Sequence, residues 1–274
     1  MIILRYFVVS DIHSFYTPLI KALEEKGFNQ EEDTLIVLGD VFDRGDETIE
    51  VYKFLKSLPH KILIRGNHEW LYKELLKKKY PDNHDYSNGT VRTFCSIANV
   101  DDKKMDRKYY FIQNALFGTN FKYNEEIPKL WRKVYEKVKD SEITKWIESD
   151  EWINCFELKD YVFVHSWIPV IDHDNLPAFF VKNRDLEYIP NWREITNQSL
   201  WDSATWGSPV ENYKNGLWKE DKTLVVGHWY SNLFHKEFEH SIEDNFDIYY
   251  GDKIIAIDAC TPLSNQINVL VIEE

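Results

Sequence analysis

The chain is poor in cysteine, in positive charge and in long apolar runs. Only Cys95, Cys155 and Cys260 occur in 274 residues, an odd number at wide spacing with no Cys-x-x-Cys pair. That argues against a disulfide framework and against a structural zinc site. Scattered free thiols fit a reducing, cytoplasmic setting. Basic residues number 33 against 46 acidic ones, a net charge of -13. A passive nucleic-acid binder carries a basic face, so that class is disfavoured. Apolar runs such as Leu35–Leu38 and Ile254–Ile257 are far too short to span a bilayer, so no membrane partner is expected. Met1 to Ser10 has Arg5 inside its apolar stretch and no small-residue cleavage site, which reads as a strand and not a secretion signal. There is no internal repeat, low-complexity tract or flexible linker.

What is present is the composition of a globular protein, 43% apolar and 29% charged. The first third alternates strand and helix signals. Apolar residues 2–9 stop at Ser10-Asp11, and Pro18 to Lys26 carries helical spacing closed by Gly27. Thr34 to Leu38 is a β-branched run stopped by Gly39-Asp40. Thr48 to Leu58 is helical again, and Lys61 to Ile64 is a third strand stopped by Arg65-Gly66-Asn67. This order predicts parallel strands with right-handed crossovers. Residues 81–108 read as polar and irregular, with a turn at Asn88-Gly89. Leu130, Trp131, Val134, Tyr135 and Val138 predict an amphipathic helix, and about 70–155 as a whole reads as a mostly helical insertion. Strands return at Tyr161–Val164 and Thr223–Val226, then at Lys253–Ile257 and Ile267–Ile272. Residues 168–220 read as long loops over a site.

Polar clusters follow directly after five of these strands: Asp11-x-His13, Gly39-Asp40-x-x-Asp43-Arg44-Gly45, Gly66-Asn67-His68-Glu69, His165 and His228. In an open α/β sheet, ligands gather beyond the carboxyl ends of strands. Carboxylate, amide and imidazole donors delivered to one edge suit a pair of divalent ions such as Mn, Fe or Zn. An acidic protein that handles phosphate needs such a local source of positive charge.

These motifs resemble those of the metallophosphoesterase superfamily, and within it the bacterial and phage phosphoprotein phosphatases of serine/threonine type. That branch carries Gly-Asp-x-His, Gly-Asp-x-x-Asp-Arg-Gly and Gly-Asn-His-Glu. Here they stand as Ser10-Asp11-Ile12-His13, Gly39 to Gly45 and Gly66 to Glu69, and the likeness is specific over about residues 6–70. From 155 onward it rests on Val164-His165, Gly227-His228 and a strand around Ile257-Asp258. The resemblance implies one calcineurin-like domain over 1–274, a four-layer α/β/β/α sandwich of two mixed sheets, with Lys253 to Ile272 supplying the second sheet. It implies two divalent ions, manganese first, with iron, zinc or nickel as alternatives. Asp11 and His13 would hold the first, Asp40 would bridge, and Asn67, His165 and His228 would complete the second. His68 would be the general acid oriented by Asp43, Arg44 would grip phosphate, and Asn67 would assist it.

Several positions depart from the branch. Ser14 replaces a glycine, and Ser166-Trp167 replaces Ala-Gly after the histidine. The expected second phosphate-binding arginine is absent from Ser199-Leu200-Trp201-Asp202, leaving Arg184 or Arg193 as substitutes. Gly227-His228-Trp229-Tyr230 lacks the second histidine of many diesterases. His235 stands near His228 in sequence. The leading expectation is a phosphomonoesterase acting on a phosphorylated protein or a small phosphorylated metabolite. A second is hydrolysis of diadenosine tetraphosphate or a related nucleotide, which Trp-rich segments around Trp192, Trp201, Trp206 and Trp218 would favour by stacking. A third, from another class, is a phosphate-binding interaction module that has lost catalysis.

Overall fold

The computed structural model describes residues 4–103, 105, 126–174 and 184–274. The start of the expected strand at 2–9, much of the insertion and part of the 168–220 loops therefore lie outside the described residues.

Two five-stranded mixed sheets form the centre. The first has the order β12-β1-β2-β3-β4, built from β1 (Arg5–Val9), β2 (Thr34–Val37), β3 (Lys61–Ile64), β4 (Trp152–Ile153) and β12 (Leu270–Glu273). The second has the order β10-β11-β9-β6-β5, from β5 (Cys155–Glu157), β6 (Tyr161–Val164), β9 (Thr223–Val226), β10 (Tyr249–Gly251) and β11 (Ile254–Ala256). A small hairpin pairs β7 (Val170–Asp172) with β8 (Leu186–Tyr188).

The strands read as nearly unbroken apolar runs because both faces are covered. Alternation then sorts each strand into two layers. Val8, Ile36, Leu38 and Ile64 of the first sheet meet Phe163, Val225 and Ile255 of the second in an inter-sheet layer. Their neighbours Phe7, Val9, Leu35, Val37 and Leu63 face outward. They pack on Leu19 and Leu23 of α1 (Tyr16–Glu25), on Val51 and Leu55 of α2 (Thr48–Ser57), and on Tyr72 and Leu75 of α3 (Asn67–Lys78). On the other side Val162, Val164, Leu224 and Val226 pack under Trp192, Trp201, Val210 and Phe234. The result is the four-layer α/β/β/α sandwich.

Two expectations need correction. The C-terminal run does not supply the second sheet alone. β11 joins that sheet beside β9, but β12 returns to the first and pairs antiparallel with β1, Tyr6 opposite Ile272. The partner of β1 on one side is β2, so its other edge is open to the chain end, which fills it. Residues 81–108 are also less irregular than their polarity predicts. α4 (Asn83–Asn88) and α5 (Thr90–Ala98) meet at Gly89, whose φ of 88° ends one helix and starts the next. Asp82 caps α4, accepting from the backbone N of His84 and Asp85. α6 (Glu126–Val138) buries Trp131, Val134 and Val138 as its spacing predicts. α7 (Glu142–Ile147), α8 (Gln198–Ala204), α9 (Pro209–Lys214), α10 (Ser231–Phe238) and the short α11 (Thr261–Ser264) complete the helices, with a 3-10 turn at Trp192–Glu194. No helix among the described residues is long and apolar enough to cross a membrane.

The inter-sheet layer should dominate stability. Phe163 is fully buried there, so Phe163→Ala is expected to cost about 3–5 kcal/mol in urea unfolding. Tyr250→Ala, at a position 62% exposed, should cost about 0.5 kcal/mol or less. Comparable losses at both positions would contradict this layering.

Candidate metal centre

Five strands deliver their carboxyl ends to the site, β1, β2 and β3, parallel in the first sheet, and β6 and β9, parallel in the second. The loop after β1 carries Asp11 and His13, and the loop after β2 carries Asp40, Asp43 and Arg44. β3 runs into α3, whose first two residues are Asn67 and His68. His165 follows β6, and His228 follows β9. Backbone bonds stitch these loops together: Asp11 N donates to Gly39 O at 3.2 Å, His13 N to Asp40 O at 2.9 Å, and Gly227 N to His165 O at 2.7 Å.

The geometry brings the six expected ligands together. His165 Nδ1 donates to Leu38 O at 2.6 Å, and His13 Nδ1 donates to Phe42 O at 2.9 Å. A carbonyl only accepts, so each ring carries its proton on Nδ1 and turns a bare Nε2 inward, as metal-binding imidazoles do. Asp40 lies between them. Its Oδ1 is 3.4 Å from His165 Nε2, and its Oδ2 is 3.8 Å from both His13 Nε2 and His68 Nε2. Two groups, His13 with Asp40 and His68, and Asp40 with His165 and His228, each gather their ligand atoms within 4.8 Å, and Asp40 belongs to both. Asp11 Oδ1 is 3.9 Å from His13 Nε2, while Oδ2 accepts from the Ser10 hydroxyl and from His228 N.

The donors fit divalent ions. Asp11, His13, Asp40, Asn67 and His165 are each at most 3% exposed, so water cannot compensate their charge. Burial, with Asp11 and Glu69 close by, pushes the Asp40 carboxyl well above the usual carboxylate range. Burial, then Asp11, does the same to Asp258. Burial also holds His13 and His228 well below the ordinary imidazole value, with Arg44 the next cause for His13 and His165 the next for His228. The Asn67 amide oxygen is turned toward acceptors only: Asp40 Oδ1 at 3.3 Å, Asp40 Oδ2 at 3.2 Å, His165 Nε2 at 2.8 Å and His228 Nδ1 at 2.9 Å. Crowded carboxylates, neutral imidazoles and an amide oxygen turned inward are what a cation relieves.

Beside these groups sits a different arrangement. His68 Nδ1 is 2.7 Å from Asp43 Oδ2, and His68 Nε2 is 3.2 Å from Arg44 Nη2. A guanidinium against Nε2 is incompatible with that atom also holding a cation, so His68 suits proton transfer better than ligation. Burial, then Arg44, lowers the His68 imidazole well below its usual value. Burial raises the Asp43 carboxyl to about 7, opposed by hydrogen bonds from Thr93 and Thr90.

Backbone strain is concentrated here. Asp11, His13, Ser14, Asp40, Asp43, Arg44 and His228 all have φ between 49° and 74°. They make up seven of the thirteen non-glycine residues with positive φ among the described residues. Each costs about 1–3 kcal/mol and persists only where its surroundings hold it. Glu69 is one such support. It accepts from Asp40 N and Val41 N at 3.0 Å and from Gly66 N at 2.8 Å, tying the β2 and β3 loops to one carboxylate. A Cβ on Gly66 would stand 2.3 Å from Asp40 Oδ1, and one on Gly227 2.4 Å from Asp11 Oδ2, so both positions require glycine.

Several residues here carry no signal in the sequence. Thr90 Oγ1 donates to Asp43 Oδ2 at 2.9 Å; Thr93 Oγ1 donates to Asp43 Oδ1 at 2.6 Å and accepts from Asp43 N at 2.9 Å. Thr261 Oγ1 donates to Asp11 O at 3.0 Å. Arg184 pairs with Asp172, and Arg193 with Glu157 and Glu220, carboxylates outside the cluster. The cation beside Arg44 is instead Arg92, which donates to Arg44 O at 2.6 Å and pairs with Asp102. His235 bonds Glu239 and the Asp247 carbonyl, on α10. A cavity of about 500 Å³ lined by Trp167, Leu186 and Gly207, among others, contains none of the candidate ligands.

The Thr93 clamp gives a direct test. Thr93→Val keeps the shape and removes the hydroxyl, leaving the buried Asp43 short of two bonds. Unfolding free energy should fall by about 1–3 kcal/mol in urea titration, and Thr93→Ser should recover most of it. Equal stability for the valine and serine variants would mean the hydroxyl does not hold Asp43.

Comparison with known proteins agrees with this geometry. A family model described as calcineurin-like phosphoesterase matches residues 4–260. The symmetrical bis(5'-nucleosyl)-tetraphosphatase of Marinomonas sp. (strain MWYL1) is 36% identical over 238 residues, covering 81% of this chain and 82% of that protein. The protein of the same name from Legionella pneumophila (strain Corby) is 39% identical, over a 64-residue stretch that covers 23% of each chain. The solved cold-active protein-tyrosine phosphatase of a psychrophilic Shewanella sp. superposes with a TM-score of 0.52 at 15% identity, covering 97% of this chain and 74% of that one, a likeness of fold. With the family model spanning nearly the whole length and the donor set assembled at the strand ends, the chain belongs to the calcineurin-like phosphoesterase family of metallophosphoesterase hydrolases.

Proposed function

We propose that this hydrolase cleaves dinucleoside polyphosphates of the diadenosine tetraphosphate class, symmetrically, into two nucleoside diphosphates. The observation that carries the reading is the match to the Marinomonas tetraphosphatase over four-fifths of both chains. It moves this substrate ahead of the phosphorylated protein that the motifs alone put first. In this reading residues 1–274 act as one domain, and the insertion at about 70–155 supplies Thr90 and Thr93 to the site.

The donors and distances support the following roles. Asp11, His13 and Asp40 would hold one divalent ion, and Asp40, Asn67, His165 and His228 would hold the other, with manganese the first ion to test. When bound, such ions polarise phosphoryl oxygens and lower the pKa of water. Arg44 presents a planar guanidinium to the non-bridging oxygens of the central phosphates, with Asn67 beside it. His68, fixed through Nδ1 by Asp43, places Nε2 where a proton is handed to the departing diphosphate oxygen. One water is consumed: its oxygen joins phosphorus as the central P–O–P bond breaks, and its protons are shared between the two products. Attack at either central phosphorus expels the other half of the molecule as a nucleoside diphosphate, so the two products are the same.

A substrate panel with manganese-loaded protein tests the reading. Diadenosine tetraphosphate should give ADP as the sole nucleotide product and should have the highest kcat/KM among that compound, a phosphoserine peptide, p-nitrophenyl phosphate and a cyclic nucleotide. ATP plus AMP as products, or a higher kcat/KM for the phosphopeptide, would overturn it.

A further inference from the structure

The structure separates tryptophans that the sequence leaves equivalent. Trp192 and Trp201 are buried and pack edge to face on each other at 6.0 Å in the outer core of the second sheet. Trp218 lies against Trp167 and donates its Nε1 to Lys222 O. These rings serve packing. Trp206 differs. It is half-buried like Trp218, but its neighbours are those of the site: its ring centroid lies 6.3 Å from that of His228, a candidate metal ligand. Trp70 meets it edge to face at 6.1 Å, and the exposed His84 lies 6.2 Å away with its plane tilted by only 34°. His84 is also near enough to His68 to disfavour a second positive charge there.

The aromatic group is therefore assembled from three parts of the chain. Trp70 comes from α3, His84 from α4 in the insertion, and Trp206 from the turn between α8 and α9. It borders the metal cluster, where the phosphates of a substrate are held. Trp70 and Trp206 both keep part of their surface open beside the buried charges, which packing alone leaves without a use. Stacking of a flat aromatic ligand gives that surface one, and a nucleobase joined through ribose and phosphate reaches one step beyond the cluster.

We propose that Trp206, braced by Trp70 and flanked by His84, is the platform on which a nucleobase of the substrate stacks, and that it sets the preference for nucleotides over base-free phosphates. This rests on the dinucleotide reading above and names its specificity residue.

The test is a binding measurement, independent of cleavage. AMP and ribose 5-phosphate differ only by the base, and their affinities for manganese-loaded protein can be compared by calorimetry. The parent should bind AMP more tightly. Trp206→Ala should weaken AMP by about 5- to 150-fold while affecting ribose 5-phosphate far less, and Trp206→Phe should recover much of the loss. Equal weakening of both ligands would make Trp206 a prop for His228 and overturn the proposal, as would a parent that does not distinguish the two. Base-dependent binding lost in Trp206→Ala supports the platform even where diadenosine tetraphosphate is not cleaved, a result that would remove only the substrate reading.

Discussion

Asp40 stands where two candidate metal-binding groups overlap, and the surrounding construction serves its position. One carboxylate oxygen faces His165, the other faces His13 and His68. The same side chain accepts from His68 N at 2.9 Å, which fixes its rotation. Its own backbone N is held by Glu69. A carboxylate buried this deeply among acidic neighbours is costly without a compensating cation. The fold accepts that cost, together with positive φ at Asp11, His13, Asp40 and His228, at the one edge where both sheets deliver strand ends. Stability is supplied elsewhere, in the dry layer between the sheets and under the outer helices.

A second constraint joins the site to the insertion. Asp43 is surrounded by protein, and two of its partners, Thr90 and Thr93, come from α5, 47 and 50 residues further along the chain. The histidine beside Arg44 is therefore oriented by a helix that belongs to no part of the sheet framework. His84 of the neighbouring α4 reaches the rim from the same direction. The insertion thus shapes the side of the site around Asp43 and His68, while the sheets shape the side where the candidate metal ligands gather.

Legibility in the sequence follows this division. The candidate metal ligands were legible because each lies within a few residues of an apolar strand, so local pattern and chemistry coincide. The four-layer sandwich was legible only through the family resemblance that these motifs carry. The return of β12 to β1 was not readable, because a four-residue strand carries no record of its partner. α4 and α5 were obscured by the Asn88-Gly89 pair, which reads as a turn and acts as a helix junction. Thr90 and Thr93 gave no signal, since a threonine that bonds a distant carboxylate looks like any other. Glu69 was visible in its motif, but its task of holding three backbone donors became clear only when two loops were seen to meet. The replacement arginines considered, Arg184 and Arg193, are engaged with carboxylates outside the cluster, and Arg92 stands beside Arg44 instead.

The central claim is that Asp40 belongs to two metal positions at once. The direct measurement is metal content after equilibration with manganese and gel filtration, for the parent and for Asp40→Asn, with far-ultraviolet circular dichroism to confirm that both are folded. The account predicts close to two ions per chain in the parent and loss of most of both in Asp40→Asn, because a neutral amide is a poor bridge between cations. Full metal content in a folded Asp40→Asn protein would contradict it.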